Sequence, residues 1–102
     1  SKPAKTSSIV SEGLEIDMAG RNVYVDGEKV NMTPKEYELL FYLVENKGIA
    51  ISREQLLSNV WGYDFYGDDR TVDTHIKMLR SSLGKYRDKI VTLRGLGYKI
   101  EL

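Results

Sequence analysis

Along "RTVDTHIKMLRSSLG", residues 70 to 84, the side chains Arg70, Thr74, Lys77, Met78 and Ser81 recur three and four residues apart: two cations, two small hydroxyls and one flexible thioether. At 100° per residue they share one side of a helix. A solvated helix face is commonly laced with Glu–Lys pairs at i, i+4, yet this stretch has no Glu. Small side chains let a partner surface approach the backbone, cations meet phosphates, and a thioether can rest on a thymine methyl. That mixture suits a helix entering the DNA major groove. The competing reading is an exposed face with no partner. Arg94, at the start of "RGLG", raises the same choice, since an arginine on a tight turn can enter a narrow minor groove or stay a solvated loop cation. Thr92, Tyr98 and Lys99 flank it as candidate phosphate contacts, with Tyr98 equally suited to a core.

Other chemistry finds no constellation. His75 is the only histidine and cysteine is absent, which removes disulfides, zinc thiolates and thiol catalysis and fits a reducing cytosol. No serine nucleophile motif or phosphate-cradling loop occurs. The set Asp64, Asp68, Asp69 and His75 matches no calcium loop, and acids ahead of a helix are ordinary capping and dipole chemistry. Neither a catalytic residue, a metal nor a cofactor is expected. Trp61 and the tyrosine-rich loop after it could stack on single-stranded nucleic acid, although half-buried packing is the commoner role of such aromatics.

These side chains need a scaffold. On the far side of the same helix, Val72, Ile76, Leu79 and Leu83 fall within about 60° of one another, a stripe fit to pack on neighbouring helices. Upstream, "MTPKEYELLFYLVENKG" predicts a helix capped by Thr33, with Pro34 in its first turn, Glu36 completing a capping box, and Gly48 at its end. "SREQLLSNVWG" repeats the signature with Ser52 and Gln55. Before both, Leu14, Ile16 and Met18, then Val23 and Val25, alternate around an Asp26–Gly27 turn signal and predict two or three short antiparallel strands. "KIVTLRGLGYKIEL" predicts a closing β-hairpin. The expected boundaries are a sheet at 13–31, helices at about 33–47, 52–61 and 71–83, and a hairpin at about 90–101. Strands, three helices and a hairpin suggest an α+β domain, a helix-turn-helix with an appended wing.

At 102 residues the chain is expected to form one domain, occupying residues 10–102. Residues 1–9, polar and starting on Ser, read as interdomain linker from a longer protein. No apolar run approaches the roughly 20 residues that span a bilayer, and the start lacks a signal peptide's apolar core, so a soluble, cytoplasmic domain without a membrane partner is expected. Formal net charge is zero, but residues 1–69 hold seven Lys and Arg against twelve Asp and Glu, a net −5, and residues 70–102 hold eight against three, a net +5. This split places an anionic partner at the last third of the chain, or pairs the two parts with each other.

The stretches "MTPKEYELLFYLVENKG", "SREQLLSNVWG", "DDRTVDTHIKMLRSSLG" and "IVTLRGLGYKI" together resemble the winged helix-turn-helix output domains of OmpR/PhoB-type response regulators. The combination of "VWG", "RTVDTHI" and "RGLGY" at these spacings is highly specific. The resemblance implies an N-terminal antiparallel β-sheet, three helices and a C-terminal β-hairpin wing, with sequence-specific binding of double-stranded DNA in control of transcription. It implies that the third helix reads the major groove through Thr71, Thr74, Lys77, Met78 and Ser81 and that Arg94 reaches the adjacent minor groove. Trp61, Arg70, His75, Thr92 and Tyr98 match family contacts to the DNA backbone. The loop Gly62, Tyr63, Asp64, Phe65, Tyr66, Gly67, Asp68 and Asp69 matches the one through which members contact RNA polymerase. An upstream receiver domain with its sensor kinase, and dimeric binding to repeated half-sites, are implied as well. Several members carry Arg at the position of Met78, so this chain's base preference is its own. The alternative from another class is a winged-helix module whose third helix binds a protein.

Overall fold

The computed structural model describes residues 8–62, 65 and 67–102. The chain opens on a four-stranded antiparallel meander: β1 (Ser8–Ser11), β2 (Leu14–Asp17), β3 (Asn22–Val25) and β4 (Glu28–Lys29), in that spatial order. Ser8 and Ile9, expected within a linker, instead pair with Asp17 and Ile16 of β2. Residues 1–7 of that expected linker lie outside the described residues. Alternation sorts the sheet into two faces. Ile9, Ile16 and Val23 sit opposite one another and turn toward the core, while Val10, Glu15, Tyr24 and Lys29 line up on the other face. The β3–β4 turn places both Asp26 (φ 52°) and Gly27 (φ 87°) at positive φ, as the Asp–Gly hairpin signal requires.

Helix α1 (Pro34–Glu45) starts on the expected capping box: the Glu36 N–H donates to Thr33 Oγ1 at 3.2 Å, and the Thr33 N–H donates to Glu36 Oε1 at 3.0 Å. Glu36 is buried, and its second oxygen accepts from Ser82 Oγ at 3.0 Å. A buried carboxylate needs such partners, and this one ties α1 to the third helix. Helix α2 (Arg53–Leu56) begins on the Ser52–Gln55 box and then widens into a π-helical turn, Leu57–Trp61, which the sequence pattern did not announce. The wide turn closes where the Gly62 N–H meets the Leu57 carbonyl at 2.8 Å. Helix α3 (Arg70–Leu83) follows, then a 3₁₀ segment (Gly84–Lys89) that was also unforeseen, and the hairpin β5 (Ile90–Leu93) with β6 (Gly97–Ile100).

One core joins these layers. Leu14, Ile16, Leu39, Leu40, Leu43, Leu56, Val72, Leu79, Leu83 and Ile100 have no exposed surface. The expected α3 stripe of Val72, Ile76, Leu79 and Leu83 is the buried one. No helix among the described residues is long and apolar enough to cross a membrane.

Candidate nucleic-acid interface

With its stripe packed inward, α3 presents Arg70, Thr74, Lys77, Met78 and Ser81 outward, all exposed, with Thr71 half-buried beside them. The face expected to be free is free of the chain's own covering. Met78 retains 37% of its surface and sits between exposed small residues, Thr74 one turn before it and Ser81 three residues after. Among the described residues Lys77 and Arg94 form no ion pair, whereas Arg70 pairs loosely with Asp68 at 3.4 Å on a fully solvated rim. Such exposed pairs are worth about 0–1 kcal/mol and exchange readily for another anion.

Other cations of the last third are committed within the fold. Lys85 pairs with Asp26 and Lys89 with Glu12, so part of the charge split is used to join the N-terminal sheet to the C-terminal half. Tyr86 strengthens that junction by donating its hydroxyl to Asp26 at 2.6 Å and accepting from the Gly13 N–H at 3.1 Å. The bond from Tyr86, with Lys85 alongside, holds the Asp26 carboxyl below its usual range.

Two networks set the hairpin against α3. Arg80 donates to the Ile90 carbonyl at 2.7 Å and to Thr92 Oγ1 at 2.8 Å, with its guanidinium 5.9 Å from the Tyr98 ring centre. Because Thr92 Oγ1 accepts from Arg80, its own proton remains available for a phosphate. Asp73, on α3, accepts from the Tyr98 hydroxyl at 2.5 Å and takes both nitrogens of an Arg53 fork, at 3.1 and 2.5 Å. Burial pushes the Asp73 carboxyl up, but the bonds from Tyr98 and Arg53 outweigh it and leave the group below the ordinary carboxylate range. Burial and the bond to Asp73 push the Tyr98 phenol up to about 12. Tyr98 is thus a buried residue whose hydroxyl proton is already spent on Asp73. This is the core placement that the sequence left open for Tyr98, and its hydroxyl positions the hairpin against α3.

The hairpin is further fixed by a short bridge. Ile51 and Tyr98 exchange backbone hydrogen bonds at 2.8 and 2.9 Å. At Gly97 (φ 146°) a Cβ would lie 2.0 Å from the Ile51 carbonyl oxygen, so only glycine admits this approach. Beyond the bridge the tip Arg94–Leu96 is exposed, closed by the Leu96 N–H on the Leu93 carbonyl at 2.9 Å.

Trp61 and His75 pack as a unit. The imidazole meets the indole edge-on, 5.1 Å between ring centres at 80°, and Lys35 stands 5.5 Å from the indole centre. His75 Nδ1 lies 2.9 Å from the Thr71 carbonyl, which can only accept, so Nδ1 is the donor in this bond. Of the loop expected to meet polymerase, Gly62, Phe65, Gly67, Asp68 and Asp69 are described, with Phe65 37% exposed and Asp69 3.3 Å from Arg53. Tyr63, Asp64 and Tyr66 lie outside the described residues.

Sequence reasoning missed Arg53, Asp73 and Arg80 as positioning residues, because their partners are 10 to 25 residues away and no local pattern encodes them. It also passed over Leu96, whose only sequence signal is an apolar residue where a polar turn residue is usual.

The family model described as "Transcriptional regulatory protein, C terminal" matches residues 27–100. Transcriptional regulatory protein SrrA of Staphylococcus aureus is 47% identical over 106 residues, covering all of this chain and 44% of its own length. Among solved structures, response regulator DrrB, a Thermotoga maritima OmpR/PhoB homolog, superposes with a TM-score of 0.84 at 31% identity, over 94% of this chain and 45% of DrrB. The DNA-binding domain of RstA from Klebsiella pneumoniae, solved in complex with the RstA box, superposes with a TM-score of 0.80 at 32% identity, over 92% of this chain and 96% of that one. The chain therefore spans less than half the length of SrrA and DrrB. Its four-stranded sheet, three helices and hairpin wing, with the match across residues 27–100, place it in the OmpR/PhoB family of transcriptional regulators, as a C-terminal winged helix-turn-helix domain.

Proposed function

We propose that the chain binds double-stranded DNA in a sequence-specific manner, as the output domain of a two-component response regulator that controls transcription. The observation that carries this reading is the shared exposure of the α3 outer face and the Arg94 tip, with Arg80 and Asp73 holding the two at a fixed separation. Thr71, Thr74, Lys77, Met78 and Ser81 read the major groove, Arg94 enters the neighbouring minor groove, and Trp61, Arg70, His75 and Thr92 contact the backbone and fix the register. Recognition, not bond chemistry, is the activity, and the family is not an enzyme class. The rest of the reading follows the family: binding in pairs on repeated half-sites, a phosphorylatable receiver domain upstream answering a sensor kinase, contact with RNA polymerase through the loop after Trp61, and a cytoplasmic setting.

Titrating the chain with duplex DNA at two salt concentrations tests this. If the cations Arg70, Lys77 and Arg94, on the backbone or in the grooves, together release the counterions of about three phosphates, the slope is about −2.7 and affinity falls roughly forty-fold between 50 and 200 mM salt. Absence of binding to any duplex, with salt-insensitive association to a protein instead, supports the protein-binding alternative.

A further inference from the structure

Leu96 is 65% exposed, more than any other large apolar side chain among the described residues, and it stands at the tip of the wing two residues after Arg94. It is not on a floppy loop. The Leu93 carbonyl holds its amide at 2.9 Å, Gly95 takes the φ of 76° that a type II turn needs at its third residue, and Ile51 clamps the strand one residue beyond Gly97. A leucine left in water on a backbone fixed in this way contributes little to the monomer's core.

We propose that Leu96 is a specificity-determining residue that lies on the minor-groove edge of an A·T pair next to Arg94 and rejects G·C there. This rests on the duplex-binding reading above. In the minor groove, A·T and T·A pairs display only the acceptors adenine N3 and thymine O2, while G·C adds the guanine 2-amino donor. The Arg94 guanidinium supplies donors to those acceptors, and the Leu96 methyls cover the apolar adenine C2–H between them. Against G·C the same methyls desolvate an amino group that finds no acceptor, which a binding site rejects strongly. Arg94 favours a narrow groove by electrostatics, so Leu96 adds a contact at the groove floor that width alone does not supply.

The experiment uses duplexes that the chain enriches from a random pool, with the base pair under the wing set to A·T, G·C or inosine·cytosine. Inosine keeps the major-groove edge of guanine but lacks the 2-amino group. The unaltered chain binds A·T and inosine·cytosine alike, and G·C about five-fold or more weakly. In Leu96→Ala that gap shrinks to within about two-fold, while Leu96→Ile retains it and discrimination at the major-groove pairs is unchanged in both. A gap undiminished in Leu96→Ala but abolished in Arg94→Ala, or inosine·cytosine behaving like G·C, overturns the proposal while leaving duplex binding intact. Failure to enrich any duplex overturns duplex binding and the proposal together.

Discussion

Removing the Asp73 carboxylate tests whether the wing is fixed to α3 as described. In Asp73→Ala the hydroxyl of Tyr98, a residue only 8% exposed, loses the acceptor 2.5 Å away. An orphaned buried hydroxyl costs about 1–3 kcal/mol. The Arg53 fork is more exposed, with side-chain exposures of 45% and 31% for the pair, and contributes at most about 1 kcal/mol. Together they give about 1–4 kcal/mol, which for a domain of this size lowers Tm by about 5–20 °C. Circular dichroism melts measure this, and a cycle with Tyr98→Phe should return a coupling of about 0.5–3 kcal/mol. The pH dependence has a defined sign. Asp73 titrates below its ordinary 3.8 in the folded chain, so its contribution is complete above about pH 4 and disappears as pH falls through the folded value. Tyr98 is raised to about 12, so its contribution is complete below about pH 10 and is lost as pH rises toward 12. In Asp73→Ala the phenolate absorbance of Tyr98 should appear at lower pH. An unchanged Tm with an unchanged phenolate titration would refute the network's role.

Other perturbations probe separate parts of the scaffold. Leu79→Ala opens a cavity in the fully buried α3 stripe and should cost about 2–5 kcal/mol, read from denaturant unfolding; an unchanged midpoint would mean that Leu79 does not pack the helix down. Gly97→Ala drives a methyl to 2.0 Å from the Ile51 carbonyl and should break the Ile51–Tyr98 bridge, seen as loss of amide exchange protection at both residues. Arg94→Ala should weaken duplex binding by about 1–3 kcal/mol, chiefly at sites with a narrow minor groove beside the half-site; an equal loss on all DNA would make Arg94 a plain phosphate contact.

What the sequence made legible was local. Thr33 with Glu36 and Ser52 with Gln55 announce helix starts because the capping partners are three residues apart, and both boxes form. The sidedness of α3 is equally local, since four apolar residues at helical spacing decide which face is buried. Asp26–Gly27 announces its own turn. Ser8–Ser11 was not legible, because four residues alternate too briefly to stand out and become a strand only by pairing with β2. The widened turn at Leu57–Trp61 and the 3₁₀ segment at Gly84–Lys89 continue α2 and α3 at their C-terminal ends, where the turn type changes without a new signal in the apolar spacing. The role of Tyr98 turned on Asp73, 25 residues earlier, a separation at which residue type carries no positional information. The exposure of the outer α3 face was readable from side-chain type, but the anchoring of the wing beside it was not.

Amide chemical shifts of isotope-labelled chain, followed during titration with an enriched duplex, report whether the outer face of α3 and the wing tip together meet DNA. The largest changes are expected at Thr74, Lys77, Met78, Ser81 and Arg94, with the outer sheet row of Val10, Glu15, Tyr24 and Lys29 unmoved. Changes confined to that sheet row, with the α3 face silent, would contradict that contact.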